Sequence, residues 1–223
     1  TAQQVRNQAY GEVRIGMEES IAPYLMPPMV HYMRSQCPGV NISCVEMAQG
    51  ALAGMLNRGE IDVAVMSTTY VAANQLAIPL YTEHIIAYLP PYHPLLQHEE
   101  LTVAMLREQH VWGYKGLCDM VLGPDRLHND TEFENGSLFT LVALAEATDA
   151  VMLAPQTIID ILLAERYDNL RPIVDPSPSR LVQMYVRQDY VMEQLLNVVR
   201  EAVCSIVPEP MLDTHLKNFR IKL

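Results

Sequence analysis

Cysteine is scarce in this sequence and never falls into a metal-binding rhythm. The four cysteines, Cys37, Cys44, Cys118 and Cys204, stand far apart with no CxxC pair among them. That spacing excludes the usual zinc ligand sets, and a chain of 223 residues that is 50% hydrophobic needs no disulfide staples to fold. The seven histidines include no HExxH, and His93 and His98 flank a Pro-bearing loop, where they read as solvated residues rather than a metal pair. Neither a metal nor a cofactor is expected. Positive charge is also short: 15 Lys and Arg stand against 26 Asp and Glu, a formal net charge of −11. That is the wrong sign for gripping a phosphate backbone, so any nucleic acid must be held by another segment. No apolar run approaches the roughly 20 residues of a membrane span. The polar stretch Thr1 to Tyr10 lacks the apolar core of a signal peptide. The composition leads us to expect a globular chain without membrane contact, in a reducing cytoplasm.

What is present is an alternation of strands and helices. Val13 to Gly16 reads as a short buried strand ending in a glycine turn. Met26, Met29, Val30 and Met33 recur at helical spacing; Ser20 is a candidate N-cap, and Pro23, Pro27 and Pro28 place the start of the regular helix near Pro27. Their spacing favours packing over any redox or metal role for these methionines. Pro38-Gly39 ends the helix, Val40 to Glu46 alternates as a strand, and Ala51 to Asn57 is a short helix with Gly59 as its stop signal. Ile61 to Met66 is an apolar run interrupted only by Asp62, as a strand buried on both faces requires. This is a βαβαβ half-domain.

A second rhythm begins near Ile78-Pro79-Leu80. Strands are expected at Ile85–Leu89, His110–Tyr114, Asp149–Leu153 and Leu170–Val174. Helices are expected at Leu101–Leu106, at Ser137–Ala147 after a polar loop over Leu127–Asn135, and from Pro155 to Glu165. After Pro176-Ser177-Pro178-Ser179, a last strand (Leu181–Arg187) and an amphipathic helix (Tyr190–Val207) come too late to belong to that second unit. They return to the first. The expected fold class is α/β, two Rossmann-like lobes joined by two crossover strands with a cleft between them. Lobe I takes residues 11–80 with 185–207, lobe II residues 81–184, and residues 208–223 form a tail.

Glu12-Val13-Arg14-Ile15-Gly16, Leu25-Met26-Pro27, Pro38-Gly39-Val40 and Arg58-Gly59-Glu60-Ile61-Asp62-Val63-Ala64 resemble, as a set, the effector-binding domain of LysR-type transcriptional regulators. Ala147 to Pro155 is similar to that family's AGxGIxxLP element, with Thr148 and Ala150 in the glycine positions. The resemblance runs from about Glu12 to Val207. It implies a periplasmic-binding-protein-like (type II) fold, assembly as a homodimer or homotetramer, and a helix-turn-helix module outside this chain that binds promoter DNA. Residues 1–10 would then be the hinge that follows that module.

In open α/β sheets, ligands sit beyond the carboxyl ends of the strands, among free helix N-termini. Here that rule singles out Ser20, Gln49, Ser67, Thr68, Gly116 and Ser137 as effector-binding candidates. For Ser20 the competing reading is a plain N-cap, and for Gln49 a solvated turn residue. Glu18 and Glu19 would repel a carboxylate effector. The run Leu106 to Cys118 resembles the peroxide-sensing loop of OxyR-like members of the family, which reads DGHC, and makes Cys118 the redox-sensing candidate. Leu117 stands where that motif has His, and no second cysteine is nearby, so a one-cysteine sensor and a bystander thiol both remain open. A sensing thiol must be accessible and partly ionised; Lys115 favours the thiolate and Asp119 opposes it.

These readings point to a regulatory domain that responds to peroxide or a small molecule by reorienting DNA-binding modules. A solute-binding protein of the same two-lobe fold is the alternative. An enzyme is not expected, because no catalytic nucleophile–base pair is visible.

Overall fold

The computed structural model describes residues 10–68, 70–123, 137–157 and 164–213, with side chains described for all of these except 164–166. The chain forms two compact units of α/β structure, residues 1–82 with 181–223, and residues 83–180. Two strands carry the chain from one unit to the other: β4 (Gln75–Tyr88) and β9 (Ser179–Arg187).

In the first unit, β1 (Gly11–Glu18) lies between β2 (Val40–Met47) and β3 (Val63–Met66), parallel to both, and β9 runs antiparallel to β3. Pleating then sorts the side chains. Val13, Ile15, Met17, Val63 and Val65 join the core under helices α1 (Ala22–Gln36) and α6 (Glu193–Ile206), while Ala64 and Met66 meet Leu52 and Leu56 of α2 (Gln49–Asn57) on the other face. Gly16 does not end the strand as the sequence suggests. It lies within it, because a Cβ there would sit 2.5 Å from Leu52 and 2.7 Å from Ile61, and its absence lets both side chains close over the sheet.

Helix α1 also corrects an expectation. It begins at Ala22, with Pro23 in the first turn, and continues through Pro27 and Pro28. An interior proline costs a helix about 3 kcal/mol. Three fully buried side chains of this helix, Leu25, Met29 and Met33, each contribute roughly 1.5–3 kcal/mol, a total comparable to the cost of the two prolines. Tertiary burial overrides local propensity. Ser20 is not the N-cap either; that position is Ile21, which makes no side-chain capping bond. Helix α2 ends as expected, with Gly59 N–H donating to Leu56 O and Glu60 N–H to Met55 O, a Schellman closure.

The second unit is built on the far half of β4, which pairs antiparallel with β7 (Val151–Pro155) and β8 (Leu170–Val174). Strand β6 (Val111–Trp112) adds parallel to β7, and β5 (Leu101–Thr102) parallel to β8. Helices α3 (Val103–Arg107), α4 (Lys115–Leu122) and α5 (Leu138–Ala147) supply apolar side chains to its core. The expected strand at Ile85–Leu89 is only the second half of β4, and the proline at position 79 lies within that strand. His93 is buried, not solvated: its Nδ1 accepts the Leu95 N–H at 3.2 Å at the start of a 3-10 turn, and burial lowers its pKa despite the opposing charge of Asp149. The expected loop at Leu127–Asn135 lies outside the described residues, as does most of the helix expected after Pro155.

A charged pair is buried in this unit. Arg180 donates to Glu83 Oε1 from Nε at 2.8 Å and from Nη2 at 2.7 Å, and the Thr157 hydroxyl donates to Glu83 Oε2. Both charged side chains are almost wholly inaccessible. They stand at the first and last residues of the unit, on the two strands that enter and leave it.

Candidate functional site

Three neighbouring strand ends in the first unit deliver polar side chains to one place. Strand β1 ends at Glu18, β2 leads through Ala48 to Gln49 at the start of α2, and β3 ends one residue before Ser67. The parallel register sets Glu18 opposite Met47 and Met17 opposite Val65, which brings these three ends level. Alternation along β1 turns Glu18 to the same face as Gly16, the face covered by α2.

The Glu18 carboxylate is the centre of the cluster and is buried. Its Oε1 accepts the Ser20 hydroxyl at 2.5 Å. Its Oε2 accepts Gln49 Nε2 at 2.9 Å, the Ser67 backbone N–H at 2.8 Å and the Ser67 hydroxyl at 2.9 Å. Gln49 Nε2 also lies 3.1 Å from Ser67 Oγ, which ties two of the donors to each other. Charge-assisted bonds of this kind are the strong ones, roughly 1.5–3 kcal/mol each, and they compensate the burial of the anion. Thr68 stands beside them, its Oγ1 accepting the Tyr70 N–H at 3.1 Å and its carbonyl accepting the Tyr185 hydroxyl. Burial and the negative Glu18 push the Tyr185 phenol up to about 12. Glu19 and Glu46 add acidity close by. Burial, then the charges of Glu46 and Glu18, raise the pKa of Glu19; burial alone raises that of Glu46.

Three of the residues expected to hold an effector, Ser20, Gln49 and Ser67, are thus brought together, but around the protein's own carboxylate. In the sequence Glu18 stands out only as a repelling charge. The signal that could have found it is the strand alternation, which assigns position 18 to the α2 face with Gly16.

The second unit holds Cys118 in a different setting. The sequence leads one to expect it on an accessible loop; it lies in the first half of α4 and is buried, 1% exposed. The reason is legible in the pattern: Leu117, Cys118, Val121 and Leu122 recur at helical spacing and turn together into the core. Cys118 N–H donates to Tyr114 O at 3.0 Å, closing the first turn. Gly113 makes the seat possible, because a Cβ on it would stand 2.8 Å from Cys118 Sγ and 3.3 Å from Leu153 O. Lys115 pairs with Asp119 along the helix at 3.8 Å, both partly exposed. A Cβ on Gly116 would meet nothing within 4 Å, and Ser137 caps α5, its hydroxyl accepting the Thr140 N–H at 3.2 Å. Trp112, in the same core, donates from Nε1 to Thr148 Oγ1 at 2.9 Å.

Two α/β units sharing two crossover strands, with donors gathered beyond the strand ends, define a domain of the type II binding fold. The chain belongs to the LysR substrate binding domain family, whose model matches residues 6–208. It is similar to a probable hydrogen peroxide-inducible genes activator of Mycobacterium avium, 24% identical over 207 residues that cover 86% of this chain and 66% of the relative. It is also similar to the DNA-binding transcriptional dual regulator OxyR of Escherichia coli, 22% identical over 199 residues, covering 86% of this chain and 65% of that protein. The chain therefore spans less than two thirds of the length of these curated relatives. Among solved structures, OxyR from Porphyromonas gingivalis matches with a TM-score of 0.82 and 26% identity, over 91% of this chain and 96% of that one.

Proposed function

We propose that this chain is the signal-sensing regulatory domain of a LysR-type transcription factor of the OxyR-like kind, that hydrogen peroxide is its signal, and that Cys118 is the reacting thiol. The observation that carries this reading is the similarity to OxyR of Porphyromonas gingivalis over both units, in a chain already assigned to the LysR family. The same match favours a regulator over a solute-binding protein. Cys118 is the sole cysteine of residues 83–180. In the proposed step local opening of α4 exposes the buried thiol, and its thiolate attacks one peroxide oxygen: an S–O bond forms, the O–O bond breaks, and hydroxide leaves to take up the thiol proton as water. Sulfur is oxidised to the sulfenic acid and peroxide is reduced. Gly113 lies close against the sulfur, where even a Cβ would stand 2.8 Å from it, so an added oxygen strains the seat and biases α4 to shift. That shift is the output. It acts in the cytoplasm on promoter DNA, through a helix-turn-helix module outside this chain and a homodimeric or homotetrameric assembly.

Peroxide titration of the wild type and Cys118→Ser tests this, following thiol mass and Trp112 fluorescence. One oxygen gained at Cys118, with a fluorescence change absent from Cys118→Ser, is expected. Oxidation of exposed Cys44 while Cys118 stays reduced overturns the reading.

A further inference from the structure

We infer that Glu18 is a tethered occupant of a carboxylate-binding seat, and that this residue closes the first unit to free carboxylate effectors. The donors are those an external carboxylate would need: a hydroxyl from Ser20 on one oxygen, and the Gln49 amide, the Ser67 N–H and the Ser67 hydroxyl on the other. They come from three separate strand ends and converge on one anion, which is buried with them. The donors meet beyond the edge of the sheet, the region where α/β sheets take their ligands. The Glu18 backbone belongs to β1 and its register is fixed by β2 and β3, so the side chain reaches the seat without any loop having to move. Glu19 stands next to it, and its charge further opposes an incoming anion. The chemical class excluded is the small organic carboxylate. The class the seat accepts, once Glu18 is removed, is the same.

The missing atoms set the probe. Glu18→Ala removes one methylene and the carboxylate, which together correspond to acetate; Glu18→Gly removes one carbon more, corresponding to propionate. Thermal unfolding is measured in acetate, propionate and, at equal ionic strength, chloride. Wild type is expected to show the same Tm in all three. Glu18→Ala is expected to unfold at lower temperature and to regain stability saturably with acetate, by mass action of a ligand that binds only the folded state. Ser67→Ala in the Glu18→Ala background is expected to weaken that rescue at least tenfold. Glu18→Gln keeps the volume filled and is expected to be indifferent to acetate. If Glu18→Ala fails to fold in chloride, refolding in acetate replaces the melt: recovery there supports the inference, and failure there overturns it. Equal stabilisation of wild type or Glu18→Gln by acetate also overturns the inference, as does a Glu18→Ala variant that treats acetate and chloride alike. Cys118 oxidation is read separately in the other unit, so failure of the peroxide reading and failure of this one are distinguishable.

Discussion

The two units bury opposite chemistry. In the first, a carboxylate is held by donors from three strand ends. In the second, a thiol lies in an apolar core with its sulfur close against Gly113. The difference teaches what each group demands. An anion taken out of water must recover several strong hydrogen bonds, and a parallel sheet supplies them because its strand ends stand level. A thiol in an apolar core needs room first, and the absent side chain at Gly113 provides it.

The contrast is tested most severely at Glu83, a carboxylate buried in the second unit. Glu83→Ala leaves Arg180 buried without its carboxylate, and a loss of about 3–5 kcal/mol in chemical denaturation is expected. Were Glu83→Ala nearly neutral, the unit would tolerate charge far better than its core composition implies. Next comes Gly113→Val, whose side chain must displace Cys118 Sγ and press on Leu153. Overpacking of this kind costs about 1–3 kcal/mol, and Cys118→Ala in the same chain should return part of it, a coupling that a double-mutant cycle measures. Ser67→Ala removes a charge-assisted donor to Glu18 while the backbone N–H remains, and about 1.5 kcal/mol is expected.

Acid titration separates two further carboxylates of the first unit. Burial alone would raise the Asp62 pKa, but hydrogen bonds from the Arg14 side chain and backbone outweigh it, and the net shift is downward. Its stabilising contribution is therefore complete above the ordinary carboxylate range and lost as pH falls through the depressed value. Glu19, raised by burial and then by Glu46 and Glu18, behaves in the opposite sense: its contribution is favourable at low pH and lost as pH rises through the raised value. Urea midpoints against pH should show Asp62→Asn with a shallower acid-side loss than wild type, and Glu19→Gln with a gain near neutrality. The smallest effect belongs to Lys115→Ala. It breaks a partly exposed pair and should change stability by less than about 0.5 kcal/mol.

Much of this is legible in the residues. Strand β8 falls where its apolar run ends, Ser137 and Gly59 punctuate their helices as their chemistry requires, and the return of β9 and α6 to the first unit follows from their late place in the chain. The misses share one cause, tertiary burial overriding a local signal. Prolines at 27 and 28 argue for a late helix start, yet the buried face of α1 carries the helix through them. Proline at 79 argues for a break, yet β4 runs across it. At the site, residue type leads to Ser20, Gln49 and Ser67 but not to their common partner, because a glutamate beside strand residues reads as solvent-facing unless its alternation is followed to the α2 face. Motif likeness puts Cys118 on a loop, although its own apolar spacing describes a helix.

The covalent attachment of Glu18 carries a consequence for information. A free ligand reports its abundance because occupancy rises and falls with supply. A ligand that is part of the chain has an effective concentration set by geometry, constant however the cell's metabolites vary. The first unit therefore conveys no message about carboxylate levels, and variation at position 18 is the single change through which such a message could be written in.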